Sequence, residues 1–277
     1  MNYLRNNYLD QPAEVSLETL ALCNAKCEFC TYPELERIGT SMSDDLISSV
    51  MMQLAEFKKP FFFSPFKVNE PFLDKRIMSI LAGLNVLAPL ARLRLFTNGS
   101  PLTLEKITQI NELVNIEHLW VSLNSTDPVR YEQIMKIPFD VTARKLDMLH
   151  EFEDFNHLVV LSRVASLDQF DNSDFYNVCR TRWPKFTPTL IKRDGWLGDV
   201  NAPVAAIPDA PCSRWFELSI CANGIVSLCC MDGHGKYAIG DIKKNSLLEI
   251  YNHPFWRERR EKMMSRKQIF PCSTCSY

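Results

Sequence analysis

The sequence predicts an α/β fold in which a parallel sheet has helices on its outer face. Short apolar, β-rich runs alternate with segments of helical periodicity through the first two thirds of the chain, and this alternation occurs six times. The chain has 277 residues, of which 46% are hydrophobic, so one large domain or a large and a small one can form a core. The predicted strands are residues 14–20, 60–66, 92–97, 118–123, 158–164 and 186–191.

Helical patterns fill the intervals between these strands. The first is expected to begin at Ser41, which with Asp44 is similar to a capping box, and another begins at Thr103. Further apolar stripes at helical spacing occupy residues 77–84, 146–152 and 175–179. In parallel sheets of this kind, functional sites collect at the carboxyl ends of the strands. We therefore look for functional residues directly after each strand.

The pattern changes after about residue 195, which predicts a first domain over residues 1–195 and a second over 196–277. In the second, two strand-like runs flank Asn223-Gly224, which is a strong β-hairpin signal. One helix is expected after Ser246, which pairs with Glu249 as a capping box, and another at Pro254.

Composition and charge exclude several classes of protein. The formal net charge is −2, so no general basic field favours nucleic acid. No apolar run approaches the ~20 residues of a membrane span, and the N-terminus lacks the apolar core of a signal peptide. Ten cysteines without such a signal indicate a reducing, cytoplasmic location, where thiols act as ligands or catalysts.

The most informative motif is a cysteine loop that follows the first predicted strand. Cys23, Cys27 and Cys30 have the spacing C-x3-C-x2-C, and the aromatic Phe29 precedes the last of them. Three thiolates can hold three irons of a [4Fe–4S] cluster and leave the fourth iron open to another ligand. A structural zinc loop or three buried core cysteines are the alternatives.

This cysteine loop resembles the C-x3-C-x-(aromatic)-C signature of the radical S-adenosylmethionine (radical SAM) superfamily. The resemblance implies a partial (β/α)6 TIM-like barrel, a [4Fe–4S] cluster and S-adenosylmethionine (SAM), whose amino and carboxylate groups bind the open iron. It also implies that one electron, from an external donor such as flavodoxin or ferredoxin, cleaves SAM to methionine and a 5′-deoxyadenosyl radical. That radical then abstracts a hydrogen atom from a substrate.

The same resemblance assigns SAM-binding roles to residues at the ends of several strands. Glu70, in Asn69-Glu70-Pro71, is similar to the acidic residue of a Gly-Gly-Glu-Pro motif and is expected to accept a hydrogen bond from the SAM amino group, although both glycines are missing. A solvated loop glutamate is the alternative. The other candidates are the backbone of Phe29 for adenine, Asn98 in a Thr-Asn-Gly turn, and Ser122 and Asn124, which we expect on one side of their strand, for the ribose or carboxylate.

Arg163 lies in an otherwise apolar strand, where a guanidinium is costly to bury without an anion. It is therefore a candidate for binding the carboxylate of SAM or of the substrate. In the alternative, it points outward and pairs with a glutamate of a helix.

A second group of cysteines lies near the C-terminus. Cys212 and Cys229 have the spacing C-x11-G-x4-C, and Cys272 and Cys275 form a later C-x2-C. Four thiolates suit a structural zinc or a second iron–sulfur cluster. The pattern resembles the Twitch domain, a shortened SPASM domain built from a β-hairpin and a helix, and this resemblance implies one auxiliary [4Fe–4S] cluster.

Three residues beside this second group are candidates for handling protons or hydrogen atoms. Cys230 is expected to face away from Cys229, as a core residue or a hydrogen donor. Asp232 and His234 follow in a polar loop and are candidate proton acceptors, or members of an ordinary turn.

These motifs together predict a radical SAM oxidoreductase, with the auxiliary cluster accepting the second electron. The layout is similar to that of the 2-deoxy-scyllo-inosamine dehydrogenases, which implies oxidation of a sugar, an aminocyclitol or another small polar substrate. A peptide maturase that forms thioether or carbon–carbon bonds is one alternative, and an epimerase using Cys230 is another. Guanosine-triphosphate cyclases are set aside because their C-x2-C comes first. A non-catalytic zinc scaffold would explain the cysteines but not the barrel motifs.

Overall fold

The computed structural model describes residues 1–155, 157–202, 206–275 and 277 of the chain. Nine strands within these residues form one sheet. The strands are β1 (Glu14–Leu17), β2 (Phe61–Ser64), β3 (Ala91–Thr97), β4 (Ile116–Ser122), β5 (Leu158–Val164), β6 (Thr187–Ile191), β7 (Glu217–Ile220), β8 (Ile225–Ser227) and β9 (Ala238–Asp241).

The sheet has the order β6-β5-β4-β3-β2-β1-β7-β8-β9. Strands β1 to β6 are parallel and adjacent in chain order. The order is linear, so the sheet is an open, partial barrel, as predicted. Strand β7 pairs parallel to β1, and β8 and β9 follow antiparallel. The two predicted domains therefore share one sheet, and the boundary near residue 195 remains a prediction.

Helices cover the outer face of the parallel strands and also follow the hairpin. Helix α2 begins after Ser43, whose side chain accepts a hydrogen bond from the Leu46 amide, so the prediction that Ser41 caps it is wrong. Ser41 instead forms an isolated β-bridge with Leu20. The helices are α1 (Asn2–Tyr8), α2 (Asp44–Ala55), α3 (Ile77–Leu87), α4 (Leu104–Asn111), α5 (Pro128–Met135), α6 (Phe139–Glu151), α7 (Gln169–Arg182), α8 (Leu247–Tyr251) and α9 (Pro254–Glu261).

The C-terminal elements confirm most of the local predictions. Gly224 has a φ of 90°, the left-handed conformation that the β7–β8 turn requires. Ser246 and Glu249 form the reciprocal capping box of α8, and Pro254 occupies the first turn of α9. Strand β9 and helices α1 and α5 were not predicted.

The core lies between the sheet and the outer helices. Helix α2 buries Ile47, Val50 and Leu54, which recur at helical spacing. Full burial of such side chains contributes about 1.5–3 kcal/mol each. Parallel pairing places the carboxyl ends of β1 to β6 at one end of the barrel, where the loops containing the predicted motifs meet. No helix in the described part of the chain has the length and apolarity needed to cross a membrane.

Candidate functional site

The first three cysteines lie in the loop between β1 and α2 and are half-buried. This loop rests on the C-terminal end of α5, because the Lys26 amide donates to the Met135 carbonyl at 3.0 Å. The Sγ of Cys27 lies 3.4 Å from the Met135 Sδ. Backbone contacts therefore fix the loop that presents Cys23, Cys27 and Cys30 at the mouth of the barrel.

The three thiols influence one another electrostatically. Burial raises the pKa of Cys23 to about 12 and that of Cys30 to about 11. Burial, followed by the charges of Cys30 and Cys23, raises the pKa of Cys27 well above its usual range. Backbone amides of Ala25 and Tyr32 donate to the sulfurs of Cys23 and Cys30, each at 3.4 Å, and such hydrogen bonds favour the thiolate form that binds metal.

These sulfurs do not converge as ligands of a single ion would. Among the described residues, no group of three or more His, Cys, Asp or Glu side chains has the geometry to hold one metal ion. A [4Fe–4S] cluster binds each thiolate at a different iron, so its ligand sulfurs stay apart. Three clustered thiols at this spacing therefore fit a cluster better than a zinc ion.

Glu70 is buried, with 2% of its surface exposed, at the start of the turn after β2. Its carboxylate accepts hydrogen bonds from the Asn98 amide at 2.6 Å, the Thr97 hydroxyl at 2.9 Å and the Phe72 amide at 3.2 Å. Burial raises the pKa of Glu70 to about 7. An ionised carboxylate offers about four acceptor positions, so one remains for a ligand. The structure is therefore inconsistent with the alternative of a solvated loop glutamate.

The Thr97-Asn98-Gly99 turn lies between Glu70 and the cysteine loop. Gly99 has a φ of 82°, and a Cβ there would lie 3.0 Å from a Val121 methyl group, so both conformation and packing require glycine. The Asn98 side-chain amide donates to Asn24, a residue of the cysteine loop, at 2.8 Å. Asn98 thus closes the turn and contacts the cysteine loop.

Ser122 and Asn124 do not face the same side, contrary to the sequence prediction. Strand β4 ends at Ser122, and Asn124 has a φ of 54°, in the left-handed region, so the alternation of a strand no longer applies. Ser122 lines a central cavity, whereas Asn124 lines a second cavity nearer the cysteine loop. The side-chain Oδ1 of Asn124 accepts a hydrogen bond from the Val164 backbone amide at 2.9 Å, which joins β4 to β5 at their ends.

Arg163 already has an anionic partner in the protein. Its guanidinium donates to the carboxylate of Asp171 and, at 2.7 Å, to the Asp171 backbone carbonyl. Asp171 belongs to the first turn of α7 and also pairs with Arg130 at 2.7 Å. The alternative of a helix carboxylate therefore holds, with aspartate in place of glutamate. Arg163 also lines the cavity beside the cysteine loop and its Nε has no partner among the described residues, so its binding of a ligand carboxylate stays a prediction.

Trp196 forms a hydrogen bond with the backbone of Phe29, the residue whose backbone the resemblance assigns to adenine binding. Its indole N–H donates to the Phe29 carbonyl at 2.9 Å, and its ring packs in a small apolar cluster with Cys23 and Cys30. Trp196 and Leu197 both have a positive φ, of 46° and 57°. A carbonyl oxygen has two lone pairs, so Phe29 retains one acceptor position for a ligand.

A central cavity of about 540 Å³ lies against the inner face of the sheet. Ser16 is in register with Ser64, and Ser122 with Ser162, so two serine pairs contribute hydroxyls to its wall. An apolar part of the wall is formed by three stacked aromatic rings, Phe66, Phe96 and Trp120. The ring centroids of Phe66 and Phe96 are 5.2 Å apart, and those of Phe96 and Trp120 are 5.9 Å apart. Such a combination of apolar surface and a few polar groups is typical of small-molecule sites.

Charged side chains also line this central cavity. Arg214 forms two hydrogen bonds with Glu217, at 2.9 Å and 3.0 Å, and its guanidinium lies 4.6 Å from the centre of the Tyr277 ring. Burial raises the pKa of Asp194, a carboxyl group in the same wall. The other charged residues of the wall are Glu14, Lys67 and Lys192.

The four cysteines of the second group line one apolar pocket. Cys212, Cys229 and Cys272 are buried and Cys275 is half-buried. The hairpin brings Cys212 close to Cys229, and the cysteines from the chain end close the pocket. Side chains of Trp215 and Leu228 form part of its wall, and Arg214 and Arg266 also line it. Four thiols in one pocket are the ligand set that an auxiliary cluster requires, since each binds a different iron.

The three candidate residues beside Cys229 have different surroundings. Cys230 lines the central cavity, on the opposite side from Cys229. Asp232 is buried, and its two oxygens each accept a backbone amide at 2.9 Å, from Lys236 and from Tyr237. Its carboxylate therefore closes a turn, and its role as a proton acceptor stays a prediction. The Nε2 of His234 lies 3.7 Å from the carboxylate of Asp199, which belongs to a distant segment of the chain.

Comparison with known proteins identifies the family. The family model of the radical SAM superfamily matches residues 17–170, more than half of the chain. The chain belongs to the radical SAM superfamily. A second family model, of the SPASM iron–sulfur cluster-binding domain, matches residues 212–276. This radical SAM enzyme therefore uses a [4Fe–4S] cluster and SAM, together with an auxiliary iron–sulfur cluster.

Solved structures share the fold at low sequence identity. BtrN in complex with AdoMet and 2-DOIA is 16% identical, with a TM-score of 0.64 and coverage of 96% of this chain and 93% of BtrN. SuiB of Streptococcus suis, bound to its precursor peptide SuiA, is 12% identical, with a TM-score of 0.71 and coverage of 99% and 72%. Native anSMEcpe with bound AdoMet is 14% identical, with a TM-score of 0.65 and coverage of 91% and 82%.

A curated relative shows similarity over a shorter stretch. The probable GTP 3′,8-cyclase of Methanosarcina mazei is 32% identical over 123 residues, which are 42% of this chain. The matched stretch spans about a third of that relative's length, 34%.

Sequence reasoning missed Lys67, Trp196 and the Arg214–Glu217 pair. A lysine directly after an apolar strand and just before Asn69-Glu70 was a signal for Lys67, since the residues after parallel strands face the site. No local pattern indicates Trp196, because its partner Phe29 lies far away in the sequence. Arg214 and Glu217 are three residues apart, but only the tertiary fold places Arg214 in the cavity wall.

Proposed function

We propose that this radical SAM enzyme is a dehydrogenase that oxidises a sugar, an aminocyclitol or another small polar molecule. The main support for this proposal is that the central cavity and the pocket of the second cysteine group share a wall. Arg214, Met231 and Tyr277 line both. A substrate in the cavity would lie one side chain from the auxiliary cluster. That position suits removal of the second electron.

The proposed ligands follow from the two groups of cysteines. Cys23, Cys27 and Cys30 hold the SAM-binding cluster, and the auxiliary cluster is held by Cys212, Cys229, Cys272 and Cys275. When bound, the first cluster and SAM supply the radical that removes a hydrogen atom, and the auxiliary cluster supplies an electron acceptor.

The proposed SAM site is the cavity of about 600 Å³ beside the cysteine loop. Phe29 and Asn124 line this cavity, and Glu70 and Asn98 contact the cysteine loop from the next strand ends. The remaining acceptor position of Glu70 is suited to an N–H of the SAM amino group, because hydrogen bonds to an ionised carboxylate are stronger than neutral ones. Trp196 separates this cavity from the central one.

In the central cavity, the serine hydroxyls are suited to hydrogen bonds with substrate hydroxyls, and the aromatic wall is suited to the apolar face of a ring. Oxidation of an alcohol also releases a proton. Asp194 is the candidate acceptor, because its carboxylate lines the cavity and burial raises its pKa towards the working range of a general base.

We further propose that an external flavodoxin or ferredoxin supplies the first electron, and that the protein works in a reducing compartment such as the cytoplasm. All ten cysteines are free thiols, seven of them in the two proposed ligand groups, which is the usage expected where disulfides do not form.

The first experiment is anaerobic reconstitution with iron and sulfide, with iron counted per chain. Wild type should hold about eight irons and a Cys23/Cys27/Cys30 triple alanine variant about four. With dithionite and SAM, wild type should release 5′-deoxyadenosine and the variant should not. Cys179→Ala, a core cysteine outside both groups, is the matched control and should behave as wild type. A wild type with only four irons would contradict the auxiliary-oxidant mechanism.

The reaction itself is tested by incubating the loaded enzyme with a panel of sugars and aminocyclitols. Dehydrogenation should yield a carbonyl product in equal amount to 5′-deoxyadenosine. If products appear only with peptides, the enzyme is a maturase and the dehydrogenase proposal is wrong.

A second candidate is an epimerase, favoured by the position of Cys230 in the wall of the central cavity. Loss of hydration there raises the pKa of Cys230 to about 12, so the group stays a thiol, the form that returns a hydrogen atom. In deuterium oxide, an epimerase should place one deuterium on the product carbon, and Cys230→Ser should abolish turnover. A dehydrogenase should be little affected by Cys230→Ser.

A further inference from the structure

Lys67 is a buried cation between the barrel and the hairpin. It follows β2, has 2% of its surface exposed and also lines the central cavity. Its ammonium group donates to the Ser227 hydroxyl at 2.7 Å, the Ser219 hydroxyl at 3.0 Å and the Cys229 carbonyl at 3.4 Å. All three of its protons are therefore directed to uncharged acceptors of β7, β8 and the cysteine turn.

The charge of Lys67 has no carboxylate partner in the described part of the chain, where no Asp or Glu oxygen forms an ion pair with it. Burying an ammonium group without an opposite charge is costly even when its hydrogen bonds are made. Cys229, a proposed ligand of the auxiliary cluster, supplies one of the three acceptors of Lys67. Arg214 and Arg266 also line the pocket of the second cysteine group, but Arg214 is already paired with Glu217. The compensating charge should therefore arise on the hairpin side.

We propose that Lys67 is a counterion of the auxiliary iron–sulfur cluster and raises its reduction potential. This inference rests on the proposed assignment of Cys229 as a ligand. Four thiolates outweigh the charge of the iron–sulfur core, so the ligated cluster is an anion. A fixed cation beside it stabilises the reduced form, which is the more negative one, and thereby raises the reduction potential. Lys67 acts through the cluster and is a positioning residue.

The test is a redox titration of the auxiliary cluster, followed by electron paramagnetic resonance. A background with Cys23, Cys27 and Cys30 replaced by alanine leaves only that cluster. Lys67→Met should lower the ratio of reduced to oxidised cluster about tenfold at a given potential, which is about 59 mV for one electron. Lys67→Arg should stay within about twofold of wild type, because it keeps the charge.

The matched control is Lys244→Met, which removes the same charge from an exposed position, 77% exposed, in the turn after β9. It should leave the potential unchanged. Equal potentials in wild type, Lys67→Met and Lys67→Arg, with four irons per chain in each, would overturn the proposal. If the background protein with Lys67 intact holds no iron, the assignment of the auxiliary ligands is wrong instead. Failure of the proposal and failure of the ligand assignment are therefore distinguishable.

If Lys67→Met does not keep its auxiliary cluster, thermal melting and the rate of iron loss to a chelator test the proposal instead. The Ser227 hydroxyl retains acceptors without Lys67, the Ser219 carbonyl at 3.2 Å and the Cys229 carbonyl at 3.0 Å. Without iron, the variant should melt at the same temperature as wild type or higher, because an uncompensated cation has been removed. With iron, it should lose its cluster to a chelator faster. Equal destabilisation with and without iron would show a structural anchor and overturn the proposal.

Discussion

Replacing Glu70 by glutamine tests the proposed SAM site most directly. Three donors already point at the two oxygens of Glu70, from Asn98, Thr97 and Phe72. A glutamine presents its NH2 group to one of these donors and has no carboxylate charge with which to accept from the SAM amino group. Loss of one hydrogen bond to a charged group costs about 1.5–3 kcal/mol. We therefore expect SAM to bind about tenfold to a hundredfold more weakly at pH 8.

The raised pKa of Glu70 also predicts how SAM binding depends on pH. Burial raises the pKa of Glu70 to about 7 from 4.5, so the folded protein without SAM favours the protonated form. The protonated carboxyl group therefore contributes to the free energy of unfolding fully below pH 4.5. This contribution is lost as the pH rises, and by about pH 7 the free energy of unfolding has fallen by about 3 kcal/mol. An N–H donor of bound SAM favours the ionised carboxylate and so reverses this preference. The affinity of wild type for SAM should therefore rise about tenfold between pH 6 and pH 8.

The assay is equilibrium binding of SAM to the reconstituted protein at both pH values, with iron counted in each sample. Glu70→Gln should show weak binding that does not change with pH, because glutamine does not titrate. Glu105→Gln, which removes a carboxylate from the exposed first turn of α4, is the matched control and should match wild type. Equal affinity of wild type and Glu70→Gln at pH 8 would refute the reasoning.

Three further predictions concern residues around the site. Asp171→Asn should cost about 3–5 kcal/mol in urea unfolding, because it weakens the ionic partner of the buried Arg163; a cost below 1 kcal/mol would contradict that pairing. Trp196→Phe should lower the free energy of unfolding by about 1 kcal/mol through loss of the bond to Phe29, while SAM titration changes less than threefold. Asp232→Asn should keep product formation per iron, since Asp232 closes a turn; complete loss of product with a full iron content would instead support its role as a proton acceptor.

The order of the barrel elements could be read from the sequence because each rests on contiguous residues. A β-strand or a helix shows its buried face as a period of 2 or 3.6, and turns such as Asn223-Gly224 depend on local backbone preference. The same holds for the cysteine loop, whose spacing over eight residues brings three thiols together whatever surrounds it. These features determined the fold class and the iron–sulfur chemistry.

The partners of charged side chains were decided by tertiary contacts. Arg163 could face a ligand or a helix, and only the packing of α7 against β5 brought Asp171 to it. Asp232 was a candidate base, and only the turn from residue 232 to 237 placed two amides on its oxygens. Polar groups in a core bind whichever opposite group the fold brings nearest, and neither periodicity nor spacing records that choice.

The sequence by itself determined six β/α units, two groups of cysteines and membership of a radical enzyme family. Only the tertiary structure placed β7 beside β1, so that the second cysteine group shares a wall with the central cavity. It also brought Lys67 to Ser219, 152 residues away along the chain. Local patterns encode elements because neighbouring residues share one backbone, whereas the substrate cavity and its charges depend on contacts between elements that meet only when the whole sheet has formed.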